Sequence, residues 1–504
     1  MGNDYIEASR VFHEITKHSY TSVRSSPHFL DWDNKPIPYK IYPGAASVAL
    51  PRDLNLSATP TLSALSSHVP AEFSAPMDMA GLTRVLFCAD GLTRRKRVGA
   101  EDYHFRAAAS AGALYPIEIY VAAGAVEGLE TGLYHFSPAD LRMAGLRRGD
   151  WRSYMADAAA RRSSIRRARA VIALSAIYWR SAWKYCARAY RYCYWDAGTI
   201  LANLLAAAAA EEISAEVITA FEDPPLEALL GIDGEREGMI ALVALGCSDQ
   251  PAAPSPEIEP LALESIPLSS KEVVYPDLVR IHRESRLVTA AEVEAVAAAK
   301  LDSAPPPPPT SALRFATIAS EDSTALGETI LRRGSSRAFA HDAIGAEELA
   351  TIMAASSEHP QADFPPLTDT YLIVNAAGAL EPGAYCYHRQ ARVFELLKQG
   401  NFRAEAGYLC LEQQLGMDCS ALVVYMADLE RTLKALGNSG YGDAHLEAGI
   451  LGGRAYLAAY SLGRGATGLT FYDDDTAKFF APHAAAKSPL LMVALGVPRS
   501  QMKS

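Results

Sequence analysis

The chain has 504 residues, 49% of them hydrophobic and 21% charged, with 47 basic against 58 acidic side chains and a formal net charge of −11. Those values describe a soluble globular protein long enough for more than one domain, and they exclude an extended nucleic-acid-binding surface while leaving room for a local basic pocket. Seven scattered cysteines with no CxxC pair read as free thiols in a reducing compartment.

The N-terminus is polar, and the longest apolar run, residues 200–210, is interrupted by Asn203 and too short to span a bilayer. A cytoplasmic protein with no membrane partner is expected. Residues 1–60 read as an N-terminal arm, extended over 20–51 because prolines there remove donors and restrict their neighbours. Residues 61–88 are helical in pattern and lead to a polar loop, GLTRRKRVGAEDY. Residues 118–124 predict a buried strand and 132–137 its hairpin partner, followed by strands at 171–177, 215–221 and 239–245. Between them, 195–212 (WDAGTILANLLAAAAAEE) predicts a long buried helix, being rich in Ala and Leu and free of proline. Residues 251–311 form a proline-rich linker with a helix near 291–300 and a stiff polyproline spacer, SAPPPPPTS, at 303–311.

The two sides of that linker repeat one another. Tyr120 falls on Tyr371 and Gly132 on Gly383, an offset of 251 in both cases (371 − 120, 383 − 132), and Ala197-Gly198 falls on Ala448-Gly449 at the same offset. The chain therefore divides into a first copy at 61–250 and a second at 312–504, each of α+β class. The copies have kept different motifs. SAGALYP (110–116) occurs only in the first and RRGSSRAF (332–339) only in the second, which predicts that the two jointly build one site.

Arg333, Ser335 and Arg337 put two guanidinium groups and a hydroxyl within five residues, ahead of an expected helix N-terminus, a grouping suited to a phosphate. Ser110, Ala111, Gly112 and Ala113 are small enough to let backbone groups approach a flat ring. Asp473-Asp474-Asp475 reads as a solvated turn, Cys186 and Cys193 as packing residues, and no histidines show ligand spacing, so no metal is expected.

RRGSSRAF resembles the RRSxRxF motif that opens domains of the nitroreductase-like flavoproteins. SAGALYP, with FRAAA before it and IEIY after it, resembles the RxxPSAGALYPxExY segment of the SagB or thiazole-oxidase branch of that superfamily. The resemblance spans both halves and implies an α+β tandem duplication forming an intramolecular pseudo-dimer around one FMN, its symmetry-related second site degenerate. It implies that Arg333, Ser335 and Arg337 hold the phosphate with help from Arg499. Ser110, Ala111, Gly112 and Ala113 would then line the ring, with Thr467, Gly468 and Leu469 at its opposite edge. Gly334 stands where the family has a second arginine, and Ala109 where it has proline. WKYCARAYRYCYWDAG (183–198) resembles the KYxxRxYRYxxxDxG stretch of azoline-oxidising dehydrogenases, which gives Lys184 and Tyr185 a role in proton removal. The second copy has Ala435 and Leu436 there.

The resemblance implies an FMN-dependent dehydrogenase that oxidises azoline rings, or a related bond, in a peptide-derived or small natural-product substrate, with molecular oxygen reoxidising the flavin. An NAD(P)H-dependent reductase of nitro, quinone or enone compounds and a non-catalytic flavin-binding scaffold are the alternatives. The pseudo-dimer leaves open a further homodimer.

Overall fold

Two antiparallel sheets of the same strand order carry the two halves. The structure, a computed structural model, describes residues 2–98, 101–301 and 307–499. In the first half Arg142–Arg148, Gly132–Ser137, Ile117–Ala123, Ala170–Ile177, Glu237–Leu245 and Ala215–Ile218 lie side by side. In the second, Val393–Gln399, Gly383–His388, Thr368–Val374, Ala421–Ala427, Ser488–Gly496 and Gly465–Leu469 repeat that order. The central strands are apolar at almost every position, and Ile117–Ala123 and Ala170–Ile177 are buried along their whole length, as strands covered on both faces must be. The fold is thus the tandem α+β duplication that the offset of 251 implied.

One long helix in each half forms the junction. Ala189–Ala210 and Ser439–Ser461 are buried on nearly all sides, which their Ala- and Gly-rich sequences permit. They touch through equivalent residues. A Cβ at Gly198 would lie 2.6 Å from the backbone of Gly449, and one at Gly453 would lie 2.6 Å from Cβ of Ala202, its own counterpart (453 − 202). Equivalent residues meet each other only on a two-fold axis, so the halves are related as the subunits of an isologous dimer. The same axis organises the chain before each motif. The Thr61 amide donates to Thr324 O (3.0 Å) and the Leu326 amide to Thr59 O (2.8 Å), a reciprocal pair at an offset of 265 (326 − 61). The first copy therefore carries 14 more residues than the second (265 − 251) between these contacts and the site loop.

Those residues are the segment expected as a polar loop, and here the structure corrects the sequence reading. Leu92–Val98 and Glu101–Arg106 pair as a two-stranded hairpin, with Arg94 opposite Phe105 and Lys96 opposite Tyr103. Consecutive charges hid the period-two pattern, because a strand exposed on both faces has no apolar alternation to show.

The arm is more than an extended strap. Glu7–Ile15 is a helix bound to the second half, where Ser9 Oγ donates to Asn438 Oδ1 (2.7 Å) and Asn3 Nδ2 to Leu436 O (2.9 Å). Ala46–Ala49 then adds a seventh strand to the first sheet beside Arg142–Arg148. The linker region holds two helices, Pro276–Ser285 and Ala290–Ala298, and much of the polyproline spacer lies outside the described residues. Asp473 is not part of a solvated turn: it opens the helix Asp473–Phe479, buried between Arg188 (3.0 Å) and Arg191 (2.8 Å), so it is an ion pair across the halves.

Replacing Gly198 with Ala forces the two long helices apart at their closest point. A loss of about 1–3 kcal/mol is expected, read as a lowered melting temperature, whereas Ala at exposed Gly463 of the second copy, whose Cβ would meet nothing, tests only backbone strain at φ 72°.

Candidate active site

The small-residue loop of the first copy is held from below by one face of the helix Ala189–Ala210. Asp196, Thr199 and Asn203 recur at helical spacing and each takes part of the loop. Asp196 accepts from Ser110 Oγ (2.5 Å) and from the Ala111 amide (2.9 Å); Thr199 Oγ1 donates to Ala109 O (2.6 Å); Asn203 Nδ2 donates to Ala107 O (2.9 Å) and Cys88 O (3.0 Å). The loop needs this support because its backbone is strained: Gly112, Ala113 and Tyr115 have φ of 65°, 54° and 49°. Burial raises the Asp196 carboxyl to about 7, a rise that its bonds from Ser110 and Ala111 oppose. Sequence reasoning missed Asp196 as a site residue. The signal was present, since it is the acidic position of the stretch containing Lys184.

Lys184 and Tyr185 end the helix Tyr178–Tyr185 directly beside this loop. A Cβ built on Gly112 would lie 2.8 Å from Tyr185 Oη and 3.3 Å from Lys184 Nζ, so only glycine fits, by both φ and space. Lys184 has no ion pair or hydrogen bond among the described residues, and burial, followed by the charges of Arg337 and Lys35, lowers its pKa. Burial instead pushes Tyr185 well up, with Tyr192 and Asp196 adding to the rise. The two groups are thus shifted in opposite directions, Lys184 toward the neutral amine and Tyr185 toward the protonated phenol, and the Tyr185 ring packs on Tyr192 with centroids 4.3 Å apart.

The second copy supplies the other wall. RRGSSRAF does not precede a helix, as the sequence suggested; it follows the helix Leu326–Arg332, and the next helix begins at Ala346. No helix N-terminus serves this anion site. Arg333 is buried across the junction, its Nε donating to Ala107 O (2.6 Å) and its Nη2 to Arg106 O (2.8 Å) and Ala108 O (3.1 Å), so it clamps the first copy's loop. Its Nη1 has no hydrogen bond among the described residues. Arg337 is exposed and likewise without an ion pair or hydrogen bond there, and its charge reaches Lys184. Ser336 N donates to Ala466 O (2.9 Å), tying the motif to the edge strand Gly465–Leu469, and Ser335 Oγ lies 3.3 Å from Tyr456 Oη. Tyr456 Oη accepts from the Gly468 amide. Thr467 and Leu469 on that strand are buried and Gly468 is exposed, while Tyr192 of the first copy meets Thr470 at 3.2 Å. The Arg499 amide donates to Ala338 O (3.1 Å), which ties its backbone to the residue after Arg337, while its charge acts on Asp418.

Two features of this arrangement fit a flavin mononucleotide. Arg333 and Arg337 of the second copy and Lys184 of the first are cations with no ion pair among the described residues, a donor set suited to a phosphate, and Gly112 lets the loop backbone lie against Lys184 and Tyr185 with no side chain between them. The symmetry-related junction lacks both. Gln361, Ala362 and Asp363 stand where Ser110, Ala111 and Gly112 stand, and they are zipped onto the first copy's edge strand: Val217 N donates to Gln361 O (2.8 Å), Asp363 N to Val217 O (3.1 Å) and Thr219 N to Asp363 Oδ1 (2.9 Å). Arg454 replaces Asn203, and a cleft lined by Ser67, His68 and Gln361 remains.

Comparison with known proteins fixes the family. The nitroreductase family model matches residues 74–247 and 330–497, so the chain belongs to the nitroreductase family, whose members are flavin oxidoreductases. A curated protein of Methanocaldococcus jannaschii named as a nitroreductase is 29% identical over 173 residues, 34% of this chain and 82% of that protein. A crystal structure from Anabaena variabilis, also titled as a nitroreductase, superposes over 98% of this chain and 99% of its own with a TM-score of 0.76 and 25% identity. The E. coli microcin synthetase complex McbBCD overlaps 49% of this chain at 17% identity and a TM-score of 0.32. Among the described residues no helix is long and apolar enough to cross a membrane, and no three His, Cys, Asp or Glu side chains are grouped to hold a metal.

Asp196→Ala should lower stability by about 1–3 kcal/mol by stranding the Ser110 hydroxyl and the Ala111 amide. The native pKa of about 7 lies above the ordinary 3.8, so the folded state binds the extra proton and loses stability as pH rises from about 4 to 7. Asp196→Asn should flatten that slope in denaturation curves taken across this pH range.

Proposed function

We propose that the chain is an FMN-dependent oxidoreductase with one flavin per chain, acting as a SagB-type dehydrogenase on azoline rings, or a related bond, of a peptide-derived or small natural-product substrate. The observation that carries the reading is Lys184: an unpaired amine, its pKa lowered by burial and by Arg337, set against a glycine at the loop that would line the ring. Aromatising an azoline removes two hydrogens from neighbouring ring atoms, one as hydride and one as proton. Bound FMN supplies the hydride acceptor and molecular oxygen the final oxidant. Lys184 in its neutral form takes the proton from carbon, and burial, with the charges of Arg337 and Lys35, makes that neutral form easier to reach. Tyr185, held protonated, orients the lysine and closes the back of the pocket. Ser110 to Ala113 line the ring, with Thr467, Gly468 and Leu469 across from them. Arg333 anchors the loop and offers Nη1, and Ser335, Arg337 and Arg499 complete the phosphate side.

Purified protein should carry one FMN per chain, quantified by chromatography of released flavin; two would restore a working second site, and none would favour the scaffold alternative. Arg333→Ala and Gly112→Val should each abolish FMN retention, one from each copy. Lys184→Ala should keep FMN and slow its reduction by substrate about 100-fold or more; an unchanged rate removes the assigned role. Rapid bleaching by NADPH alone would instead point to the reductase.

A further inference from the structure

The hairpin present in only one copy has a specific use. In the first copy the helix Met79–Asp90 is followed by Leu92–Val98 and Glu101–Arg106; in the second, the helix Ala346–Ser357 runs into Thr368–Val374 with no strand between. This added hairpin lies at the junction that has kept its motifs, and it carries Arg94 across to the second copy. A Cβ built on Gly334 would lie 3.9 Å from Arg94 Nη2 and 3.7 Å from Tyr460 Oη, with nothing nearer. Arg94 is held in that direction by stacking on its cross-strand neighbour Phe105, the guanidinium carbon 4.6 Å from the ring centroid. It makes no ion pair or hydrogen bond among the described residues. Its charge acts on Arg333, and the other groups that act on Arg333 are the hydroxyls of Tyr456, Tyr115 and Tyr460, with no carboxylate among them.

Two guanidinium groups are thus held close together, from different copies and different elements, with no counter-charge beside them. Arg94 is exposed and so free to meet a ligand from solvent, an anion would relieve the repulsion between the two groups, and paired guanidinium groups are suited to the oxygens of a phosphate monoester. We propose that Arg94 is a ligand of the flavin phosphate, delivered from the first copy's hairpin into the space that the missing side chain of Gly334 leaves open. The assignment rests on the reading of this site as an FMN site. It makes the phosphate pocket composite in its own right: Arg94 from the first copy, and Arg333 and Arg337 from the second.

The test compares binding of FMN and of riboflavin, which lacks the phosphate, by full-length protein stripped of flavin. Arg94→Ala should weaken FMN about 10- to 100-fold and leave riboflavin unchanged. Arg94→Gln, which retains the stem packed on Phe105, should behave alike and guards against loss of the hairpin. Adding Gly334→Arg to Arg94→Ala should recover most of the FMN affinity, because the new guanidinium would enter the same space from the other copy. Equal weakening of FMN and riboflavin, or no change in either, overturns the assignment. A wild-type protein that binds riboflavin as tightly as FMN also overturns it, whereas one that binds neither overturns the flavin reading itself and this assignment with it.

Discussion

The contact between Gly198 and Gly449 sets everything else. At the closest approach of the two long helices there is room for backbone only, and the residues that meet are each other's counterparts. A close approach between equivalent residues, repeated one turn along at Ala202 and Gly453, sets how near and on what axis the halves can pack. It brings Arg333 of one copy within reach of three carbonyls of the other, those of Arg106, Ala107 and Ala108. The catalytic wall and the phosphate wall never share a sheet, so neither half could form the site by itself.

Once the halves are joined in one chain, the two junctions are free to diverge, and they have done so by exchanging ligand-facing groups for internal hydrogen bonds. Asp196 and Glu447 are counterparts, and both are buried carboxylates that accept backbone amides of the loop they support. At the first junction that support holds a strained loop open toward the other copy. At the second, Asp363 closes the gap by capping Thr219 and Ala220, and the loop joins the sheet edge through Val217. The same divergence shows in the turn after the catalytic helix. Cys186 has φ 50° where the second copy places Gly437 at 72°, so the copy with Lys184 and Tyr185 keeps a side chain in a conformation that costs about 1–3 kcal/mol. The strain sits in the copy that has Lys184 and Tyr185, and the glycine in the copy that has Ala435 and Leu436.

Much of this was legible in the sequence because duplication is a statement about spacing. The offset of 251 carried the fold, the pairing of motifs and the loss of Lys184 and Tyr185 from the second copy. What escaped was whatever depends on long-range contact. Asp196 looked like one polar residue on a buried helix, and only the fold shows that it carries the Ser110 loop. Asp473 sat in a run of three acids that reads as solvated, yet it alone faces Arg188 and Arg191 across the junction. The hairpin of Arg94 has charged residues on both faces, so no periodicity marked it. The change in offset from 265 to 251 does mark it, but it appears only once the earlier reciprocal contact is known.

Charge distribution gives the site its character. Many of the interior cations are matched: Arg106 by Asp90, Arg180 by Glu118, Lys40 by Glu237, and Arg188 and Arg191 by Asp473, whereas buried Arg454 at the second junction donates to the Glu358 carbonyl and has no ion pair among the described residues. The chain as a whole is acidic, at −11. Against that background Arg94, Arg333, Arg337 and Lys184 are left without carboxylates among the described residues, although each is close enough to another cation to be felt by it. Arg333 is buried, Lys184 partly so, and Arg94 and Arg337 are exposed, so an anion arriving from solvent could be met by all but the buried group without desolvating a pair. Burial first, and then the charges of Arg337 and Lys35, lower the basicity of Lys184. Two pairs of cations thus stand without carboxylates, Arg94 beside Arg333 and Arg337 beside Lys184, and in the proposed function the first would meet a phosphate while the second would lower the basicity of the amine.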